Sequence, residues 1–329
     1  MSATVSTNPW TRATENSGFL DYIDTTLRGC GQVIFMDNPL TGLLNFVAMF
    51  WGAYASGSSP AVAWGSLIAT FVSTATAYAL GVDLDKRKMG LYGYNGMLVG
   101  CGIPTFLAAT PMMWGFLVIG SAVSTVVMLA VANVFSTWKT PALTFPFVLT
   151  TWLVMLAAYA FPTLPITGLG HAALSHAPVV VHAAMGPVEV VRASLVSVAQ
   201  VFFVNSPMAG FIFLVALVVE SRWAAGLAFG GALIAVLCAI LFGADTGAIK
   251  DGLWGFSAVL TAVGVGCVFM NVGTKTLIYA GLATVVTVVV QGALNVTLGT
   301  FGIPTFTFPF VLTAWLFLLA QRNFDSKTN

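Results

Sequence analysis

The chain alternates between long apolar segments and short segments rich in glycine, proline and charge. The apolar segments approach the roughly 20 residues that a helix needs to cross the hydrocarbon core of a bilayer. Strands of a transmembrane barrel would alternate apolar and polar residues over short stretches, and these segments do not. The pattern therefore predicts an all-α membrane protein. We expect ten spans, near residues 40–56, 61–81, 91–108, 112–137 and 143–161, and near 207–220, 223–243, 253–270, 276–298 and 306–321.

The second half of the chain repeats the first. Residues 144–152 read TFPFVLTTW, and residues 307–315 read TFPFVLTAW. Two further blocks recur in the same order and at nearly the same offset: 27–42 as 195–210, and 90–98 as 252–260. Self-similarity at one fixed offset indicates a tandem duplication.

Each half divides into the same parts. A short apolar stretch ends at Pro39 or Pro207, and it is too short and too interrupted to span a membrane alone. Five spans follow, and two similar halves with an odd number of spans must enter the membrane from opposite faces. The fold class we predict is two inverted-topology repeats of five transmembrane helices, each with a short re-entrant or half-spanning helix. The expected division is a polar tail 1–18, a first repeat 19–161, a linker loop 162–186, a second repeat 187–322 and a tail 323–329.

Composition and charge support a membrane protein and orient it. The chain is 58% hydrophobic and 7% charged, whereas soluble domains carry about 25% charged residues. The net charge is +1, and the sequence contains no block of basic residues, which excludes a nucleic-acid partner. Ten of the twelve basic residues lie on the side of the termini, which the positive-inside rule makes cytoplasmic. Short tails suggest an integral multi-pass protein of a bacterial inner membrane.

Ionisable side chains are almost absent from the spans, although such residues would be expected in a proton pump or an ion-coupled carrier. His171, His176 and His182 lie in the linker, and without matching cysteines they do not favour a metal site. Ser257 follows a Gly-Phe turn like that of an intramembrane protease, but no span holds a histidine to act as its base. We therefore read Ser257 as a packing or pore-lining serine, and predict no enzyme and no cofactor.

Uncharged polar groups in the repeated blocks are the remaining candidates. Gln32 and Gln200 each precede a break where Asn38 or Ser206 can cap a helix that begins with proline. Irregular backbone at membrane depth is tolerated only when it is buried in protein or lines a watery cavity. In the other block, Pro146 and Pro309 interrupt or start a helix and free carbonyl oxygens beside Thr144 and Thr307. Doubled polar features in an uncharged membrane domain favour a pore over simple packing.

At these residues the chain resembles the urea transporter family, membrane channels for urea found in bacteria and animals. The family signature has the form Leu-Pro-x-x-Thr-x-Pro-Phe, once in each half. Here residues 140–147 read TPALTFPF and residues 303–310 read IPTFTFPF, so the leading leucine is replaced in both copies. The segments QVIFMDNP at 32–39 and GLYGYNG at 90–96 are also family-like. The resemblance covers residues 19–322.

The resemblance implies a homotrimer in membrane lipid, with one pore through each protomer between its two halves. It implies a lining from equivalent positions of the halves: amides, aromatic walls, leucines beside them, hydroxyls at the narrow middle, and valines. Tyr94 stands where phenylalanine is commoner, so one wall carries a hydroxyl. The implied pore residues are Gln32, Val33, Phe35, Tyr94, Leu98, Thr144, Gln200, Val201, Phe203, Phe256, Leu260 and Thr307.

The implied solute is urea, a planar neutral molecule with four N–H donors and one carbonyl. It suits a slot with apolar faces and acceptor oxygens along its edge, because each hydrogen bond to water that is lost on entry must be replaced. No energy source is visible in the sequence, so passive flow is expected. The alternatives are a channel for another small neutral solute such as ammonia, which should use histidines within the pore, or a secondary transporter of a short amide.

Overall fold

The computed structural model describes residues 9–172, 174 and 183–325. Within these residues the fold is helical, and the only β-type pairing is an isolated bridge between Leu107 and Ile166. The helices are α1 (Pro9–Asn16), α2 (Gly18–Gly31), α3 (Pro39–Ala55), α4 (Pro60–Ala79), α5 (Leu84–Lys88), α6 (Tyr94–Phe106), α7 (Pro111–Ser136), α8 (Phe145–Ala158), α9 (Pro187–Gln200), α10 (Pro207–Glu220), α11 (Arg222–Leu241), α12 (Thr246–Lys250), α13 (Phe256–Val263), α14 (Thr274–Gly299) and α15 (Phe308–Asp325).

Each apolar segment expected from the sequence contains a helix, which confirms an all-α membrane protein. Among the described residues, α4, α7, α11 and α14 are long and apolar enough to cross a bilayer unaided. Segment Gly18–Ile34 and α3 form a further apolar pair, bent by 73°. Helices α8 and α10 have 14 residues each, which corresponds to only about 21 Å at 1.5 Å per residue. The expected number of crossings therefore stays a prediction.

The bend between α2 and α3 is built by capping, as the sequence predicts. The Asn38 side chain accepts hydrogen bonds from the backbone N–H groups of Leu40 and Thr41 at the start of α3. In the second half, Ser206 accepts one from the N–H of Ala209 at the start of α10. Proline follows each cap and needs no partner for the N–H that it lacks. The caps and the prolines thus reduce the number of unpaired backbone donors where one helix ends and the next begins.

Glycine allows the two arms of each bend to approach closely. A Cβ added to Gly42 would overlap the carbonyl oxygen of Leu27, and one added to Gly210 would overlap that of Leu195. Close approach through small residues is the usual way in which helices pack inside a membrane. The same contact is present in both halves, so the short stretch before each bend packs against the helix after it.

The two halves also bond to one another through equivalent side chains. The indole Nε1 of Trp152 in α8 donates to the carbonyl of Pro304 over 2.8 Å. The indole of Trp315 in α15 donates to the carbonyl of Pro141 over 2.9 Å. The first bond runs from the first half to the second, and the other runs in the opposite direction. These two bonds fix the starts of α8 and α15 against each other.

Candidate functional site

Two cavities approach each other between the halves and end at a shared pair of threonines. We call them the first cavity, of about 460 Å³, and the second cavity, of about 510 Å³. The first is lined by Gln32, Val33, Phe35, Asp37, Lys86, Met89, Leu91, Tyr92, Tyr94, Met128, Leu129, Ala132, Asn133, Thr140, Pro141, Ala142, Leu143, Thr144, Val268 and Phe269. The second is lined by Thr105, Phe106, Gln200, Phe203, Asp245, Ala248, Leu253, Trp254, Phe256, Gln291, Asn295, Pro304, Thr305, Phe306 and Thr307.

The threonine pair joins the two cavities, since Thr144 lines the first and Thr307 lines the second. The hydroxyl oxygens of Thr144 and Thr307 lie 2.6 Å apart and share a hydrogen bond in which either can donate. Each threonine stands immediately before a helix whose second residue is proline, so both prolines start a helix, one of the two roles expected for them. The N-termini of α8 and α15 therefore meet here. Their aligned peptide dipoles give this meeting point a positive potential.

The backbone before each threonine is held in the left-handed region. Leu143 has φ 54° and Phe306 has φ 48°, a conformation that bulky residues rarely adopt unless the surroundings hold it. In the first half those surroundings are polar, because the Leu143 carbonyl accepts from the Tyr94 hydroxyl at 2.7 Å and the Asn95 amide at 3.4 Å. The Asn95 oxygen accepts from the backbone N–H of Phe147 at 3.0 Å. One carbonyl freed by the proline break is thus already engaged by protein.

The two glutamines occupy equivalent positions at helix ends, where the sequence predicts them. Gln32 follows α2 and begins a short 3₁₀ turn, while Gln200 is the last residue of α9. The Gln32 side-chain nitrogen donates to the carbonyl of Met89 over 2.9 Å, and that of Gln200 donates to the carbonyl of Asp251 over 2.8 Å. Anchoring the nitrogen in this way turns the amide oxygen into the acceptor that a solute N–H can use.

Aromatic rings surround both sides of the threonine pair. Phe35 is held at φ 65°, and its ring centroid lies 5.6 Å from that of Phe269. Phe203 is held at φ 60°, and its ring lies 6.1 Å from that of Phe306. The rings of Phe147 and Phe306 approach to 5.1 Å across the halves. Flat apolar faces beside amide and hydroxyl groups can hold a small planar solute that hydrogen-bonds along its edge.

The cavities bring together most of the residues that the sequence singles out. Val33 lines the first cavity, but its equivalent Val201 does not line the second. Leu98 and Leu260 are at most 1% exposed in the apolar core and line neither cavity. The assignment of Val201, Leu98 and Leu260 to a pore wall therefore stays a prediction.

Several lining residues were not identified from the sequence. Phe106 and Phe269 are equivalent positions 163 residues apart. Phe106, from the first half, lines the second cavity, and Phe269, from the second half, lines the first. Gln291 is a buried amide within an apolar helix. A position-by-position comparison of the two halves would have found it, because its equivalent is Met128.

The residues that raised other functions are placed apart from the cavities. Ser257 is 1% exposed and lines neither cavity, as a packing role requires. His171 lies in the loop after α8 and lines neither cavity. His176 and His182 lie outside the described residues. Across the part of the chain that the structure describes, no three histidine, cysteine or acidic residues come close enough to hold a metal.

Comparison with known proteins gives one family. The sequence model of the family described as Urea transporter matches residues 23–322. Urea transporter 1 of Ovis aries is 29% identical over 304 residues, which cover 91% of this chain and 77% of that protein. The proteins of the same name from Capra hircus and Rattus norvegicus are also 29% identical, with the same shares covered.

Proposed function

This chain belongs to the urea transporter family, and on that premise we propose that it is a channel through which urea diffuses passively. The family consists of passive transporters, so the protein is not an enzyme. The observation that carries the channel proposal is the contact between Thr144 and Thr307, where two cavities with equivalent linings meet. In this proposal the cavities are the two mouths of one pore, and the threonine pair is its narrow middle.

The pore lining fits the solute's hydrogen-bonding needs. Urea would lie between the aromatic faces in each mouth and give its N–H groups to the oxygens of Gln32 or Gln200. At the middle, the hydroxyls of Thr144 and Thr307 would exchange their mutual hydrogen bond for bonds to the solute. Replacing each bond to water matters, because an unmet polar group in a dry site costs about 1–3 kcal/mol. Several weak sites in sequence let a solute both enter and leave.

The same lining would exclude ions. Desolvating a charge is very costly unless a paired group compensates it, and no charged side chain lines the narrow middle among the described residues. Cations would in addition be repelled by the positive N-terminal ends of α8 and α15, which lie at the threonine pair. The neutral urea molecule carries neither cost.

We propose that the pore lies between two repeats of opposite orientation, residues 19–161 and 187–322, with five spans and a short helix in each. Two-fold related surfaces make every contact twice, with the partners exchanged. The bonds from Trp152 to Pro304 and from Trp315 to Pro141 have this reciprocal form, which supports the arrangement.

The cytoplasmic location of both termini is also part of the proposal. Loops that the positive-inside rule assigns to the cytoplasm contact one another: Arg322 donates to the carbonyl of Lys139 over 2.7 Å, and Glu220 accepts from the N–H of Asp37 over 3.2 Å. These contacts support one common side for the basic loops. A homotrimer in the bacterial inner membrane is proposed from family resemblance, and the mass of the purified protein in detergent tests it.

Urea-driven volume change in proteoliposomes tests the function. Vesicles with the protein should re-swell in a urea gradient much faster than empty vesicles, with glycerol, thiourea and methylamine as comparison solutes. The rate should be the same with and without proton or sodium gradients. A strict requirement for either gradient would overturn the channel and favour a coupled transporter.

A channel or secondary transporter for another small neutral solute is the less favoured candidate. An ammonia channel should place histidines in its pore, and no histidine lines either cavity in the described part of the chain. Faster permeation of methylamine than of urea would support this candidate.

A further inference from the structure

At three equivalent positions the second cavity is the more polar, whereas Asn133 and Thr140 of the first cavity are matched by Val296 and Ile303. Gln291, Asn295 and Thr305 line the second cavity. The residues 163 positions earlier are Met128, Ala132 and Ala142, and these line the first cavity. All three differences place a hydrogen-bonding side chain in the second cavity and an apolar one in the first. We call Gln291, Asn295 and Thr305 the amide cluster.

The amide cluster is internally bonded around Gln291. The side-chain nitrogen of Gln291 donates to Oγ1 of Thr305 over 2.7 Å and to Oδ1 of Asn295 over 2.8 Å. Both of its N–H groups are thereby used. Its oxygen, Oε1, has no hydrogen-bond partner, and the residue is only 3% exposed. A buried acceptor without a partner costs about as much as a lost hydrogen bond, so this oxygen favours any donor that reaches it.

The first cavity has no such acceptor at the equivalent place. The sulfur of Met128 lies 3.8 Å from the hydroxyl of Tyr94 and 3.6 Å from the amide nitrogen of Asn95. That hydroxyl and that amide already donate to the carbonyl of Leu143. In the second half, Phe256 replaces Tyr94 and Ser257 replaces Asn95. The hydroxyl and the amide that bond the Leu143 carbonyl in the first half are thus absent from the second.

We propose that the amide cluster is a urea-binding subsite of the second cavity, in which Oε1 of Gln291 accepts a urea N–H, and that the first cavity has no counterpart. The proposal rests on the proposed function, since urea must enter the cavity. Oε1 is itself covered in the structure, so in this proposal the amide turns about its last torsion to offer it to the solute. That torsion is broad for an sp² group. The turn lets the oxygen gain the donor that it lacks.

A one-sided subsite has a kinetic consequence. Net flux through a passive pore is zero at equal concentrations, so the ratio of maximal rate to half-saturation is the same in both directions. A subsite in one mouth therefore lowers the half-saturating urea concentration and the maximal rate together, while permeability at low urea stays nearly constant. Loss of correctly folded channels would instead lower the rate at every concentration and leave half-saturation unchanged.

The chain supplies its own test variant. Gln291→Met, Asn295→Ala and Thr305→Ala together give the second cavity the residues of the first. Equilibrium exchange of labelled urea across proteoliposomes should then show half-saturation raised by about three- to tenfold, as expected for one lost hydrogen bond. Thr305→Ala alone removes one anchor of the amide and should raise it by about two- to threefold. Met128→Gln added to the triple variant should lower half-saturation again.

Two results would overturn the subsite. One is half-saturation within twofold of the original chain in the triple variant, and the other is a maximal exchange rate that does not rise together with half-saturation. Absence of protein-dependent urea exchange in the unaltered chain is a separate result, and it would overturn the proposed function itself.

Discussion

The hydroxyl oxygens of Thr144 and Thr307 lie 2.6 Å apart, although 163 residues separate them in the sequence. Each follows a residue in the left-handed region and precedes a helix that begins with a Phe-Pro pair. The contact therefore depends on two strained turns that are brought together by the packing of the halves. A solute that crosses between the cavities must separate these two oxygens.

Replacing Thr144 or Thr307 by valine should reduce urea flux by about tenfold or more. Valine keeps the shape of threonine but removes the hydroxyl, so a solute N–H at the narrow middle loses a partner worth about 1–3 kcal/mol. Light-scattering measurements of urea permeability in proteoliposomes measure the loss, with the amount of reconstituted protein determined for each variant.

Matched controls are available on the same two helices. Thr150 in α8 and Thr313 in α15 are also 163 residues apart, and both are buried with hydroxyls that have no partner. Neither lines a cavity. Thr150→Val and Thr313→Val should leave urea permeability within about twofold. Equal losses at these positions and at the threonine pair would show a general packing effect rather than a narrow middle.

The threonine contact could be predicted from the sequence because the motif that contains it occurs twice. Duplication pairs equivalent residues, and in the proposed arrangement an odd number of spans turns the halves over and brings the two copies face to face. Capping by Asn38 and Ser206 was predictable for a similar reason, since it depends only on neighbours in the chain. Element lengths were less predictable, because α8 and α10 are shorter than a full crossing.

Gln200→Leu should raise the half-saturating urea concentration. The side chain loses both the oxygen offered to the solute and the bond from its nitrogen to the carbonyl of Asp251. The expected change is about five- to tenfold, as for one hydrogen bond to a neutral group. Flux measured over a range of urea concentrations separates this result from a change in protein amount.

Gln200→Glu is the matching conservative variant, because a carboxylate keeps two acceptor oxygens. The variant should reverse at least half of the rise in half-saturation seen in Gln200→Leu. If its half-saturation is as high as that of the leucine variant, the acceptor role of Gln200 is wrong, and its bond to Asp251 is what matters.

Tyr94→Phe should lower stability with little effect on transport. The hydroxyl donates to the carbonyl of Leu143 over 2.7 Å, and its loss leaves that carbonyl with the longer bond from Asn95. The expected cost is about 1 kcal/mol. The ring remains as a cavity wall, and Phe256 occupies the equivalent position without a hydroxyl. Thermal unfolding in detergent and urea flux on the same preparation check both halves of this prediction.

Family resemblance alone could not give the role of the Tyr94 hydroxyl, because its partner is a backbone carbonyl. Which carbonyl it reaches depends on the left-handed turn at Leu143, and a leucine there gives no sign of that conformation. The amide cluster was hidden for another reason. Gln291 and Asn295 lie one turn apart in an apolar helix, and only the fold brings Thr305 within hydrogen-bond reach. Side chains that act through distant partners need coordinates, whereas repeated motifs do not.

Gly42→Ala and Gly210→Ala should each prevent stable packing of one bend, before α3 in the first half and before α10 in the second. The added methyl group would overlap the carbonyl oxygen of Leu27 in the first half and of Leu195 in the second. Backbone atoms cannot move aside as a flexible side chain can, so the cost should reach at least the ~1–3 kcal/mol typical of overpacking. Yield of monodisperse protein and its unfolding temperature in detergent measure this effect.

Gly226→Ala is the control for the loss of a glycine. Gly226 lies in α11, and a Cβ there would meet nothing within 4 Å. Alanine should leave stability unchanged or raise it by up to ~1 kcal/mol, because it restricts the unfolded chain and favours a helix. Because Gly42 and Gly210 make the same contact in the two halves, the unfolding temperatures of their alanine variants should decrease by similar amounts. A normal unfolding temperature for either one would contradict the equivalence of the two bends.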